Sequence, residues 1–249
     1  MNNKKFDIQK GHFYAVGVGP GGADLLTLRA VRVIEESEVI ICPKSASARS
    51  SLALDIIKDF VRDQEIIEHV YPMQRSQEQV ENSWIKAADI IKTHCLAGKT
   101  VCQVTLGDPN IYSTCAYVMP LIEEVLGRDR IHVVPGITAF QSSAANFPHP
   151  LTTQEDRLIL MPGSDLNAVE NALKSCETLV LYKAGKNLPA IVRLLEKYDL
   201  ASKAGVVFNS EMPDREEVFS SLDEALEGSR SYLACVIVYV GRKGWKTVD

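Results

Sequence analysis

Three features of the sequence predict an α/β fold in two domains, 1–149 and 150–249, that face one cleft. Short β-branched runs alternate with amphipathic helical stretches through the first half, the pattern of a mostly parallel sheet with helices packed on it. The alternation pauses at Phe147-Pro148-His149-Pro150. Beyond that pause the last two apolar runs, 217–220 and 233–240, have only a short helical stretch at 223–226 between them, so the second sheet is expected to be mixed with antiparallel members.

The elements follow in order. His12 to Gly19 reads as a first strand that runs into Pro20-Gly21-Gly22, and Thr27 as the N-cap of a helix whose inner stripe is Leu28, Val31 and Ile34. Glu38 to Pro43 is a second strand, and Leu52, Leu54, Ile56 and Ile57 outline a helix. Glu68 to Pro72 is a third strand, followed by a helix over 84–96 with Ile85, Ala88, Ile91 and Cys95 on one face. Thr100 to Thr105 is a buried parallel strand, and Tyr117, Val118, Leu121, Ile122 and Val125 continue it as a helix. A fifth strand, 130–136, leads to a small-residue helix over 138–145. In the second domain, strands are expected at 158–162, 178–183 and 205–208, with helices at 166–174 and 188–197.

Composition limits the function classes. An apolar content of 46% with 24% charged residues is that of a soluble globular chain with ample core. No stretch approaches a membrane span, and the first residues lack the apolar segment of a secretory signal, which places the expectation in the cytoplasm. A net charge of -5 argues against a nucleic-acid surface, which needs clustered Lys and Arg. The six cysteines form no C-x-x-C pair, and Cys42, Cys102 and Cys235 fall in strand-like runs as small core residues. His12, His69, His94, His132 and His149 are scattered without ligand spacing, so no protein-bound metal is expected.

The segment Leu106-Gly107-Asp108-Pro109 sits where the fourth strand becomes a helix, at the carboxyl edge where open α/β sheets bind ligands. Gly107 admits close backbone approach, Pro109 stiffens the turn, and Asp108 either caps the helix or accepts a bond from a ligand. Earlier in the chain, Gly17-Val18-Gly19-Pro20-Gly21-Gly22 matches G-x-G-x-x-G, the dinucleotide fingerprint. The following strand ends in Cys42-Pro43 without the acidic residue that would hold a ribose, and the helix starts late, so a nicotinamide or flavin site is disfavoured.

Taken together, Gly17-Val18-Gly19-Pro20-Gly21, Gly107-Asp108-Pro109 with Tyr112-Ser113-Thr114, and Val133-Val134-Pro135-Gly136-Ile137-Thr138-Ala139 resemble the tetrapyrrole (corrin/porphyrin) methyltransferase family. The likeness continues through Lys183-Ala184-Gly185-Lys186-Asn187 and Glu211-Met212-Pro213. Ser51-Leu52-Ala53 after Arg49, Tyr71-Pro72-Met73 followed by Trp84, and the 107–114 stretch are similar to the branch that methylates C20 of precorrin-2 or its cobalt form. The resemblance implies a class III methyltransferase-like fold, S-adenosylmethionine as methyl donor in the cleft between the domains, and a homodimer. It differs at Gly22-Ala23, where Asp-Pro is commoner, at Asn110 in place of a bulky apolar residue, and at Asn209 in place of Arg.

The same resemblance places the cofactor on Pro20, Leu106, Gly107, Asp108, Pro109, Tyr112, Ser113 and Thr114, with Thr138 and Ala139 on the adenosine side. Met161, Tyr182, Asn209 and Ser210 are second-domain candidates for the adenine pocket, with core packing the competing role of Met161 and Tyr182. Tyr112 is the one catalytic candidate, for polarity or proton movement near the reacting carbon, against an ordinary role as a buried ring. A substrate with many carboxylates needs cations, and Lys44, Arg49 and Arg75 follow strand ends on the same sheet edge. Competing readings are a methyltransferase of the same fold acting at another macrocycle position or on a diphthamide precursor, a nicotinamide-dependent oxidoreductase, and a ligand sensor without turnover.

Overall fold

A computed structural model of the chain describes residues 6–46, 48–72, 76–228 and 231–241. It divides into two compact units, residues 1–138 and 139–249.

The first unit holds β1 (Phe13–Gly17), α1 (Leu28–Glu36), β2 (Val39–Ser45), α2 (Leu52–Ile57), β3 (Glu65–Tyr71), α3 (Gln77–Leu96), β4 (Val101–Thr105), α4 (Cys115–Leu126) and β5 (Ile131–Val134). Its five strands run parallel in the order β3-β2-β4-β1-β5. β1 and β4 are buried at every residue because helices cover both faces of the sheet. On one face Phe13, Ala15, Val101 and Ile41 pack with Ala88, Ile91, Val118 and Ile122 of α3 and α4. On the other, Tyr14, Val16, Cys102 and Val104 pack with Ala30, Val33 and Ile34 of α1 and with Ala53, Ile56 and Ile57 of α2.

Local chemistry sets the helix starts. Thr27 accepts a bond from the Ala30 amide, and Ser51 from the Leu54 amide, each satisfying a donor that the first turn leaves unpaired. Two stripe assignments are corrected. In α1 the buried stripe is Ala30, Val33 and Ile34, and Leu28 is 86% exposed because it lies about 200° round the helix from Ala30. In α3 Ala87, Ala88, Ile91 and Cys95 face the core, while Ile85 is 46% exposed for the same reason relative to Ala87.

The second unit holds α5 (Ala139–Ala144), β6 (Leu158–Pro162), α6 (Leu166–Leu173), β7 (Thr178–Tyr182), α7 (Leu188–Lys197), β8 (Ala204–Phe208), β9 (Glu217–Phe219), α8 (Leu222–Ala225) and β10 (Ala234–Tyr239). The strand order is β6-β7-β10-β8-β9, with β10 antiparallel to both neighbours and β9 antiparallel to β8. The mixed sheet expected from the short 223–226 stretch is therefore present. The division between units falls at Thr138, ahead of the pause at 147–150, because Phe140, Ala144 and Phe147 pack on Val180, Cys235 and Ile237 of the second sheet.

Two of the histidines that look scattered in the sequence meet at the amino edge of the first sheet. His12 Nδ1 lies 2.9 Å from His132 Nε2, their rings stack, and His132 also stacks on Tyr14. Burial, then Arg130, holds His12 below its ordinary value of 6.5; burial, then His12 and Arg128, does the same to His132. Among the described residues no three His, Cys, Asp or Glu side chains are grouped to hold a metal ion.

Because both imidazoles resist protonation in the folded state, the unfolded chain binds more protons just below pH 6.5, and acid favours unfolding there. The contribution is fully present above the unfolded value and is lost as pH falls. We expect the melting temperature to drop from about pH 7 to about pH 5, and His132→Phe to reduce that drop. A thermal scan across this range in which the variant and the parent lose stability equally would contradict the assignment.

Candidate functional site

β1, β4 and β5 are neighbours in one parallel sheet, so the segments that follow them emerge at the same carboxyl edge. They are locked together by backbone. The Val18 amide donates to the Thr105 carbonyl at 2.9 Å, the Gly107 amide to the Gly19 carbonyl at 2.7 Å, and the Gly19 amide to the Gly107 carbonyl at 3.3 Å. A Cβ placed on Gly17 would lie 2.6 Å from both the Gly107 oxygen and the Gly136 nitrogen, and one on Gly136 would run into the same Gly107 oxygen. Gly17 and Gly136 are therefore required by the contact of three loops. The G-x-G spacing of the first loop has this packing explanation and needs no phosphate.

Gly107 differs from the other two. Its φ is +73°, and a Cβ there would meet nothing within 4 Å. Gly107 is itself buried, so this is room beside the backbone at the carboxyl edge, which a small ligand could use for close approach.

Asp108 does not cap α4, and its carboxylate is bonded to the protein. Its Oδ1 accepts from the Asn110 amide at 2.8 Å, and its Oδ2 from the Gly136 amide at 3.0 Å, so the carboxylate straps the second loop to the third. The N-cap of α4 is Thr114. Ser113 is buried, donates to Thr105 Oγ1 at 3.0 Å and accepts from the Cys115 amide at 3.1 Å. Tyr112 has a φ of 51° and is 45% exposed, so it is not the buried ring weighed as its alternative. Leu106 is half-buried against the cluster beneath α1 and α2, Pro20, Pro109 and Thr138 are buried, and Ala139 is half-buried.

The substrate cations divide. Lys44 Nζ sits 3.1 Å from Glu68 Oε2, and Glu68 Oε1 accepts from the Ser51 amide at 2.9 Å. The Lys44 bond, then the Ser51 amide, holds the Glu68 carboxyl below the usual carboxylate range. Lys44 is thus already neutralised at the start of α2. Arg49 is exposed and has no ion-pair partner among the described residues. Arg75 and Met73 lie outside the described residues.

In the second unit β7 and β8 are both antiparallel to β10 and β6 is parallel to β7, which brings the carboxyl ends of β6, β7 and β8 to one edge. Met161 faces the core formed with α6 and α7, while Tyr182 is on the opposite face, where its hydroxyl accepts from the Phe140 amide at 2.9 Å. The two are not brought to one wall. Ser210 is buried and its Oγ lies 2.8 Å from Ser142 Oγ. Asn209 has a φ of +49°, donates to the Arg215 carbonyl at 3.0 Å and accepts from Ser231 at 2.7 Å. Asn tolerates that left-handed backbone, which explains its presence where Arg was expected.

Sequence reasoning assigned no role to Gln103 and Tyr71, which are hydrogen-bonded to each other beneath the second loop. The available signal was a glutamine inside an otherwise apolar strand.

Two α/β units, the first with three glycine-locked loops at the carboxyl edge of a parallel sheet, define an α/β protein with a candidate ligand edge. The sequence pattern of the Tetrapyrrole (Corrin/Porphyrin) Methylases matches residues 12–226, and the chain belongs to that family. It is 31% identical over 227 residues, 90% of this chain and 94% of the other, to a probable cobalt-precorrin-2 C(20)-methyltransferase of Methanocaldococcus jannaschii. It is 27% identical over 246 residues, 95% of this chain and 96% of the other, to a precorrin-2 C(20)-methyltransferase of a Sinorhizobium species. The fold matches uroporphyrin-III C-methyltransferase of Thermus thermophilus, solved in complex with S-adenosylhomocysteine, with a TM-score of 0.62, 21% identity and coverage of 92% and 98%.

Removing the Asp108 strap leaves two backbone donors without their acceptor, so Asp108→Ala is expected to lose roughly 1–3 kcal/mol of unfolding free energy in urea with no ligand present. A side chain serving only as a ligand contact would leave that stability unchanged.

The two kinds of glycine are separable. Gly107→Ala should fold at a cost of about 1–2 kcal/mol for its left-handed φ, whereas Gly136→Ala should disrupt the loop junction and lower the melting temperature much further. Equal losses in thermal unfolding would refute the distinction.

Proposed function

We propose that this protein transfers a methyl group from S-adenosylmethionine to the C20 meso carbon of precorrin-2, or of its cobalt form, in cobalamin biosynthesis. The observation that carries the proposal is the pairing of the glycine-locked edge with full-length similarity to relatives named for C20 methylation. The room beside the Gly107 backbone fits a cofactor that must lie close to it, and the T. thermophilus relative holds S-adenosylhomocysteine.

When bound, S-adenosylmethionine supplies a methyl group on a sulfonium whose thioether leaves without acid assistance. The work left to the protein is orientation of nucleophile and methyl group, worth roughly 7–11 kcal/mol of barrier. Gly107 and its neighbours would carry the cofactor on backbone that Gly17, Gly136 and Asp108 hold rigid, with Thr114 offering a hydroxyl. Tyr112, exposed beside the loop, is the candidate for polarity near the reacting carbon or for relaying its proton to solvent, the hydroxyl giving up its own hydrogen as it takes one. Arg49 would meet substrate carboxylates, since Lys44 is engaged by Glu68.

The reading also takes a homodimer, as the family resemblance implies, working in the cytoplasm, where six buried, unpaired thiols remain reduced. Among the described residues no helix is long and apolar enough to cross a membrane.

Calorimetric titration with S-adenosylhomocysteine, followed by anaerobic turnover of precorrin-2 and cobalt-factor II, tests the proposal. The expected result is about one site per chain and a product whose new methyl is on C20. Absence of binding, or a methyl at another carbon, overturns it.

A further inference from the structure

One bulky side chain is held where backbone sterics do not favour it. Tyr112 has a φ of 51°, in the left-handed region that is costly for an L-residue with a large side chain and is ordinarily given to glycine or asparagine. Among the described residues the other non-glycine positions with a positive φ are Gln154, Lys183, Asp199, Asn209, Glu211 and Asp214. All six are polar or charged. Tyr112 alone in this set carries a ring.

Bonds on either side fix that conformation. Ahead of it the Ile111 amide donates to the Asp108 carbonyl at 3.2 Å, and the Asp108 carboxylate is tied to the Asn110 and Gly136 amides. Behind it the buried Ser113 hydroxyl donates to Thr105 Oγ1 at 3.0 Å and accepts from the Cys115 amide at 3.1 Å. With both flanks anchored, the loop holds residue 112 left-handed whatever its side chain. The turn itself calls for glycine, and a polar group at this point calls for asparagine or aspartate, which tolerate such backbone. What tyrosine adds over any of these is the ring.

That ring is also left outside the core. Tyr112 is 45% exposed, on the loop that follows β4 at the carboxyl edge of the first sheet, the same loop in which Gly107 has room beside its backbone. A ring that the fold strains to keep and does not bury is not retained for packing. At a ligand edge it suits a flat conjugated system, which an aromatic side chain meets by offset stacking or edge to face.

We propose that Tyr112 is a ligand-contact residue, its ring held on strained backbone to pack against a flat conjugated ring system bound at this edge. The inference rests on the methyltransferase reading above, which supplies two such systems, the adenine of S-adenosylmethionine and the tetrapyrrole.

The test compares wild type with Tyr112→Phe, Tyr112→Ala and Tyr112→Gly. Without ligand, Tyr112→Gly is expected to melt about 2–4 °C above Tyr112→Ala, because both lose the ring and only glycine is at ease at this φ. That order is the reverse of the usual one. S-adenosylhomocysteine affinity by calorimetry and the KM for cobalt-factor II in turnover then separate the two partners. Tyr112→Ala and Tyr112→Gly are expected to lose about ten-fold in one of them, in affinity where the ring meets adenine and in KM where it meets the tetrapyrrole. Tyr112→Phe should stay within about two-fold of wild type in that same quantity. Affinity and KM both at wild-type level in Tyr112→Gly overturn the proposal. So does a Tyr112→Ala that melts at or above Tyr112→Gly, which removes the strain, and so does a loss in Tyr112→Phe as large as that in Tyr112→Ala, which assigns the contact to the hydroxyl. Wild type that binds no S-adenosylhomocysteine and turns over no tetrapyrrole fails differently, by removing the methyltransferase reading and this inference with it.

Discussion

The first unit depends on the meeting of three backbones at Gly17, Gly107 and Gly136. Parallel strands β1, β4 and β5 end side by side, and their exit loops can close on one another only where no Cβ intervenes. Once closed, the loops satisfy each other through the Gly19–Gly107 bonds and through the Asp108 carboxylate on the Gly136 amide. Rigid geometry at this edge is therefore a property of backbone contact. The side chains nearest it act mainly to hold that backbone in place.

This division of labour explains which parts of the fold were legible in sequence. Strand and helix alternation, the cap at Thr27, and the mixed second sheet each leave a local mark, because period and capping chemistry act within a few residues. Leu28 and Ile85 were misplaced because an apolar residue near a stripe reads as part of it, while a shift of two positions turns a helical side chain to solvent. The early end of the first unit was hidden for another reason. α5 is short and small-residued, and its allegiance is decided by Phe140 and Phe147 packing on strands far along the chain.

The site was legible by position more than by role. Glycine loops at strand ends announce themselves, yet a hydrogen-bond partner distant in sequence does not. Asp108 finds Gly136, Ser113 turns back to Thr105, Asn209 holds Arg215 and Ser231, and Lys44 is taken by Glu68. Each is a polar residue beside a ligand edge whose bonds run into the protein. Residue type alone could not separate a group that faces a ligand from one that builds the wall behind it. Met161 and Tyr182 show the same limit in a strand setting, since residues in registered strands share an edge but alternate in face.

Such an edge suits a reaction in which orientation is the main demand. A sulfonium donor needs no acid, so a site built from fixed backbone amides and a few oriented hydroxyls can do most of what methyl transfer asks. A further titratable pair lies at the other end of this unit's sheet. His12 and His132 stack at the amino edge of the sheet, one strand length from the glycine junction, with both imidazoles held toward the neutral form by burial. Acid acts on the fold through that end, and toward the carboxyl end through Glu68, whose carboxyl is held below the usual range by Lys44 and then by the Ser51 amide. The three loops at the carboxyl edge are closed by backbone bonds and by one carboxylate, Asp108, with the Tyr112 ring exposed beside them.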